Sequence, residues 1–229
     1  YLETGDPVIS VDTKKKENIG NFKNNGAEYR KSKDPRKVLD HDFPFAELGK
    51  VSPYGVYVLN SNTGFINLGT SHDTSEFAVT SIAAWWDICG KNTFPESKRI
   101  YITCDGGGSN SSRSRAWKCE LQEFADYTGL EVMISHYPPG ASKWNKIEHR
   151  MFCYISKNWQ GQPLIDIETV VSLISGTTTQ NGLKIDCIVD NNIYETGRKI
   201  SDEELAQVNL FPYEQLGKWN YKIKPNCKD

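Results

Sequence analysis

RIYITCDGGG occupies residues 99–108. After Arg99 the run is apolar, β-branched or aromatic, which suits a buried strand, and Asp105 closes it before three glycines. In open α/β sheets the C-terminal ends of strands line the ligand crevice, so a carboxylate at such an end is a candidate site residue. PVISVD (7–12) repeats the pattern and ends on Asp12. If the two strands are neighbours, their two carboxylates come close together.

The rest of the chain fits around these two runs. Tyr54 to Leu59 and Phe65 to Gly69 read as strands joined by the turn cluster Asn60–Gly64, hence a hairpin. Asp73 with Glu76 has capping-box spacing, and Ala78, Ile82, Trp85 and Cys89 give the helix that follows an apolar stripe. Trp117, Leu121, Phe124 and Ala125 mark a helix that stops at Gly129. Leu130 to His136 is another strand. Pro138-Pro139-Gly140 breaks the chain, and Ser142 can cap a long helix running to about Trp159. The order β-β-β-α-β-α-β-α predicts an α/β fold with a mixed five-stranded sheet flanked by helices. Beyond it, Ile167–Ile174 reads as helix, Leu183–Val189 as strand and Ser201–Val208 as a capped short helix. One domain over 1–229 is the simplest organisation, with a core at about 7–160 and a C-terminal extension at about 161–229.

Composition narrows the class. The 229 residues are 38% hydrophobic, 11% aromatic and 24% charged, with net charge −2. These values suit a globular chain rather than a disordered or fibrous one. No apolar run reaches the ~18–20 residues a membrane-spanning helix needs. The six cysteines form no CxxC pair and no zinc spacing, which favours a reducing cytoplasm. The chain starts without Met and reads as a piece of a longer protein. A polar, basic stretch from Thr13 to about Lys50 carries Lys14-Lys15-Lys16, Arg30-Lys31 and Arg36-Lys37. A connection of that length inside a domain is more often functional than idle.

A third acid stands at Glu148. Trp144, Ile147, Met151, Phe152 and Ile155 share one helical face, and Glu148 falls within it. A carboxylate there is costly unless something pairs with it. Asn145 lies one turn earlier on the same side and can hold the carboxylate or a ligand. Simpler roles exist for all three acids. Asp12 and Asp105 can cap turns, and Glu148 can reach solvent or Arg150 from the edge of the stripe. Two Asp and one Glu offer only hard oxygen donors, which suit Mg²⁺ or Mn²⁺. A pair of such ions serves nucleases, polymerases and strand transferases alike.

With these motifs in view, the chain resembles the DDE transposases of bacterial insertion sequences, of the ISAzo type, within the ribonuclease H-like (retroviral-integrase) superfamily. The stretches that carry the likeness are PVISVDTKKKENIGNFKNNG (7–26), HDFPFAELGKVSPYGVY (41–57), HDTSEFAVTSIAAWW (72–86), TCDGGGSNSSRSRAWK (103–118), HYPPGASKWNKIEHRMF (136–152) and GKWNY (217–221). The resemblance implies a ribonuclease H-like fold, catalysis by Asp12, Asp105 and Glu148, and two Mg²⁺ ions on those acids, with Mn²⁺ as a substitute. It implies DNA strand cleavage and strand transfer during transposition. The partners would be element ends and target DNA, met by a homo-oligomer in a bacterial cytoplasm at the nucleoid. No helix-turn-helix fits before Asp12, so end recognition is expected in a preceding segment. Two other readings fit the same residues: a ribonuclease H-like nuclease without strand transfer, and a domesticated, non-catalytic DNA-binding domain. The intact acids count against the second.

Basic residues around an acidic metal site are what a phosphodiester requires. Lys14, Arg113, Lys143, Asn145, Lys146 and Arg150 are the expected DNA contacts, although Lys14–Lys16 can equally be a solvated charge run. Arg115 and Lys118 lie close by in sequence. Gly106–Gly108 is no P-loop, because no GK[ST] follows, and it fits a close approach of backbone to substrate or metal. Asp73 reads as a helix cap, His136 as a core or surface histidine or else an accessory group near the acids, and Trp85, Trp86 and Trp117 as core.

Overall fold

Alternation along the first long strand sets the two faces of the sheet. In β1 (Val8–Thr13) Ile9 and Val11 are fully buried toward one side, so Ser10 and Asp12 face the other. In chain order there follow a two-residue strand β2 (Glu17–Asn18), the hairpin β3 (Lys50–Val58) and β4 (Thr63–Gly69), and helix α1 (Ser75–Trp85). A π-helical turn over Trp86–Gly90 leads into the short α2 (Lys91–Thr93). Then come β5 (Arg99–Cys104), α3 (Arg115–Thr128) and β6 (Glu131–His136). The next helical run covers 146–158, with a π-helical turn at Glu148–Phe152 before α4 (Cys153–Asn158). The last elements are α5 (Ile167–Ser175), β7 (Lys184–Asp190), α6 (Asp202–Ala206), β8 (Leu210–Pro212) and β9 (Asn220–Ile223). The computed structural model describes residues 1–39, 49–138 and 140–226, without the side chain of Ser142. HDFPFAEL (41–48), Pro139 and Cys227, and any capping role for the Ser142 side chain, fall outside the described residues.

The sheet order is β7-β4-β3-β1-β5-β6-β9-β8, with β2 paired to β3. The central part is the expected ribonuclease H-like arrangement: β1 runs antiparallel to β3 and parallel to β5, and β5 runs parallel to β6. Among the described residues the sheet has nine strands, not five. The C-terminal extension supplies three of the four extra strands, and β2 is the fourth. The extension lays β7 parallel to β4 at one side, and β9 and β8 beyond β6 at the other. Each addition pairs backbone groups that an edge strand would otherwise leave open.

Helices cover both faces. One layer joins Ile9, Val11, Tyr54 and Val56 to Ile82 and Trp85 of α1 and to Trp117, Leu121 and Phe124 of α3. The opposite layer joins Tyr57, Ile66 and Leu68 to Ile147, Met151, Phe152 and Ile155, and to Val170 and Ile174 of α5. Trp85, Trp86 and Trp117 are buried, as expected. No helix among the described residues is long and apolar enough to cross a membrane.

Three local expectations are corrected. The helix bearing Glu148 starts at residue 146, because Ser142–Trp144 forms a separate 3₁₀ turn. Trp144 is therefore off the apolar stripe and 62% exposed. Asp73 does not cap α1. Thr74 holds that position, its hydroxyl accepting from the Phe77 amide at 3.2 Å.

Candidate active site

Strand register brings the first two acids together. Val11 lies opposite Cys104 on the neighbouring parallel strand, so Asp12 and Asp105 leave their strands at the same level. Asp12 also pairs with Gly55 of β3. A Cβ on Gly55 would lie 2.6–2.8 Å from Phe152, Ile147 and Met151. A glycine opposite Asp12 thus lets the Glu148 helix sit against the sheet on the face that carries Asp12.

A buried network ties that helix to β1. Ser10 Oγ accepts from the Ile147 amide at 3.1 Å and donates to Asn145 Oδ1. Asn145 Nδ2 donates to Asp12 Oδ2 at 3.1 Å, and the Thr13 amide donates to Asp12 Oδ1 at 2.8 Å. Burial pushes the Asp12 carboxyl up to about 7, and the Asp105 and Glu148 carboxylates add to the rise. Asp105 and Glu148 are also raised, burial being the largest cause in each. The Lys14 ammonium opposes the rise at Glu148.

Asp105 is held from below. Trp117 Nε1–H donates to the Tyr221 hydroxyl at 3.0 Å. The Asp105 carbonyl can only accept, so His136 Nδ1 carries the proton and donates to it at 3.0 Å. Burial lowers the His136 pKa, and Nε2 of the neutral ring accepts from the Tyr221 hydroxyl at 2.9 Å. Around the glycine turn, Gly108 takes a left-handed φ of 57°, and Asn110 Oδ1 accepts from the buried Tyr54 hydroxyl at 2.8 Å. Thr13 Oγ1 donates to Asp73 at 3.1 Å, and Asp73 helps to raise the pKa of Asp105.

Two residues expected at DNA turn inward. Asn145 is fully buried and both ends of its amide are engaged. Lys14 is 9% exposed, paired with Glu17 at 2.9 Å and seated 4.4 Å over the Trp159 ring. Arg113, Lys143, Lys146 and Arg150 are exposed. Arg115 instead pairs with Asp202 at 2.6 Å, which ties α6 to α3. Cys104 is fully buried in the core.

Sequence reading missed Ser10, Tyr54, Asn110 and Tyr221 as supports of the site. Ser10 had a signal: a polar residue in an apolar run, two positions before Asp12 and so on its face. Tyr221 lay within the quoted GKWNY, but no local pattern tied it to Asp105.

Among the described residues no three His, Cys, Asp or Glu side chains stand close enough to close on one ion. The donor set nevertheless fits a hard divalent cation. The acids are oxygen ligands, and Asp12 and Asp105 take part in no ion pair among the described residues.

This sheet order, with Asp12 on β1, Asp105 just after β5 and Glu148 on the helix that follows β6, is that of a DDE transposase domain. The chain belongs to the family described as the Rhodopirellula transposase DDE domain, whose family model matches residues 1–225. Among solved structures it is similar to the Mos1 transposase paired-end complex with left transposon end, at 13% identity and a TM-score of 0.48, over 71% of this chain and 45% of that one. It is also similar to the Mos1 mariner paired end complex with Mn, at 14% identity and a TM-score of 0.46, over 74% of this chain and 46% of that one. The chain thus spans under half the length of these transposase chains. No curated protein matches it.

Proposed function

We propose that this domain carries out divalent-metal-dependent DNA strand cleavage and strand transfer during transposition, with Asp12, Asp105 and Glu148 as the catalytic acids. The observation that carries the reading is geometric: Asp12 and Asp105 stand at the same level at the ends of adjacent parallel strands, in no ion pair among the described residues, and burial raises the Asp12 carboxyl to about 7. Clustered carboxylates repel and need a cation or a shared proton. Asp12 and Asp105 would hold Mg²⁺, or Mn²⁺ in its place, and Glu148 would complete a second site. When bound, such ions supply activation of a water or 3′-hydroxyl and charge stabilisation at the leaving oxygen.

The chain's own residues position and neutralise. Asn145 fixes the orientation of Asp12, and the Trp117–Tyr221–His136 series fixes the backbone at Asp105. Arg113, Lys143, Lys146 and Arg150 would meet phosphates at the rim. Element ends and target DNA would be the substrates, a homo-oligomer on DNA the working form, and the bacterial nucleoid its place.

The test uses the full-length protein with Mg²⁺ and duplexes carrying the element end. Asp105→Asn and Glu148→Gln should each abolish nicking and joining. Cleavage at an unchanged rate in Asp105→Asn would overturn the catalytic assignment. Nicking without any joined product would favour a nuclease that lacks strand transfer.

A further inference from the structure

Positive charge is concentrated in one segment of this chain. Between residues 13 and 39 nine Lys and Arg stand against three Asp and Glu, although the whole chain has net charge −2. That segment holds a third of the chain's 27 cationic side chains. Its distal part is exposed throughout 25–39, and Lys23 is exposed as well. Arg30 and Arg36 converge on Glu28, at 3.9 and 3.2 Å. Lys23, Lys31, Lys33 and Lys37 enter no ion pair among the described residues. A turn closed by the Asp34 amide on the Lys31 carbonyl at 3.2 Å holds Lys33 at its tip with φ 70°. Lys23, Arg30, Lys31, Lys33 and Arg36 line one groove.

The segment is anchored to the end of the Glu148 helix. Asn24 Nδ2 donates to the carbonyls of Trp159 and Gln162 at 3.1 and 3.2 Å. The Gly161 amide donates to the Asn25 carbonyl at 3.0 Å, and the Gly20 amide to the Leu164 carbonyl at 2.8 Å. Contact is close enough that a Cβ on Gly26 would lie 2.8 Å from Gln160 Cβ, and one on Gly161 would lie 2.9 Å from the Ala27 backbone. Phe22, 3% exposed, and Ile19, 7% exposed, pin the base of the segment. The segment closes on itself through the Lys23 amide to the Leu39 carbonyl and the Leu39 amide to the Asn21 carbonyl, both at 2.8 Å.

We infer that residues 23–37 form a docking surface for the sugar-phosphate backbone of duplex DNA, fixed to the distal end of the helix that carries Glu148. Lysines that enter no ion pair among the described residues, at the tip and along the groove of an otherwise acidic chain, match a polyanion. They carry no base-reading geometry, so the surface orients the duplex without selecting its sequence. Because the anchor is the Glu148 helix itself, the surface sets the position of DNA relative to the third acid. This inference rests on the DNA-processing reading above, but it concerns binding and not chemistry.

The test is the salt dependence of binding of this chain to a duplex of arbitrary sequence, without divalent metal. Lys23, Lys31, Lys33 and Lys37 are changed together to Gln. The control changes exposed Lys98, Lys184, Lys199 and Lys218 to Gln, with equal loss of charge. Each phosphate contact contributes about 0.9 to the slope of log affinity against log salt. The first variant should lose roughly two to four units of slope, and the control should keep the wild-type slope. An unchanged slope in the first variant, or an equal loss in both, overturns the inference. So does a first variant that keeps its slope and loses self-association, which would give the surface to a second copy of the chain. A wild-type chain that binds no duplex at low salt also overturns the inference, whatever the nicking assay of the full-length protein shows. Loss of the catalytic reading in the nicking assay, with the slope change present, leaves the surface assigned.

Discussion

Asn145 Nδ2 and Asp12 Oδ2 are 3.1 Å apart although 133 positions separate them in the chain. That bond joins the start of the Glu148 helix to the strand end that bears the first acid. Asn145→Ala removes it together with the partner of the Ser10 hydroxyl. Leaving buried polar groups unpaired costs about 1–3 kcal/mol each. Urea denaturation in EDTA should show a loss of that size, and a midpoint equal to wild type would mean that the network contributes nothing to stability.

The raised Asp12 pKa has a defined sign. The carboxyl titrates near 3.8 when unfolded and at about 7 in the fold. The folded state therefore keeps the proton at pH values where the unfolded chain has released it. The stability this supplies is fully present below about 3.8 and is lost as pH rises through about 7. The change should be of the order of 2–4 kcal/mol between pH 4 and pH 8 without divalent ions. Asp12→Asn should flatten that decline and leave the variant more stable than wild type at pH 8.

Divalent ions should act on the same cost. At pH 8, Mn²⁺ at ten times its dissociation constant should stabilise the fold by about 1.4 kcal/mol, if the unfolded chain does not bind it. For a chain of this size that raises Tm by about 3–6 °C. Asp12→Asn and Asp105→Asn should each abolish the increase. A rise that survives in both variants would locate the ion elsewhere.

Tyr221→Phe breaks two buried hydrogen bonds, one to Trp117 and one to His136. The expected cost is about 1–3 kcal/mol. Imidazole ¹⁵N spectra give a second readout. Wild-type His136 should carry its proton on Nδ1, bonded to the Asp105 carbonyl, and the variant should lose that fixed tautomer. A wild-type proton on Nε2 would contradict the donor order described here.

Gly55→Ala tests the closeness of helix and sheet. The new methyl meets Phe152, Ile147 and Met151 at 2.6–2.8 Å, so the helix must move or the side chains must leave their rotamers. Overpacking of this kind costs about 1–3 kcal/mol. Because the displaced helix bears Glu148, nicking activity should fall further than Tm alone accounts for. Activity retained in proportion to the folded fraction would show that the helix position tolerates the shift.

Much of the fold was legible because strand and helix signals are local. RIYITCD and PVISVD show apolar strands that end on acids, and β5 and β1 are those strands. Gly129 was read as a helix stop and takes the left-handed cap conformation at φ 73°. Ser201–Val208 reads as a capped short helix, and Ser201 caps α6 in a capping box with Glu204. The errors arose where two local patterns competed. Thr74 displaced Asp73 as the cap of α1, one position closer to the helix. Trp144 fitted the apolar period, but the 3₁₀ turn before the helix took it off that face and into solvent.

Local sequence thus determined which segments are strands and helices, and which strand ends carry carboxylates, because those features depend on backbone period and on residues a few positions apart. Tertiary structure alone decided that β1 lies between β3 and β5, that the C-terminal extension extends the sheet on both sides, and that Asn145 faces Asp12 instead of solvent. Those outcomes follow from contacts between residues about 40 to more than 130 positions apart. They are selected by the burial of whole faces and the pairing of edge backbone, which no short window of sequence contains.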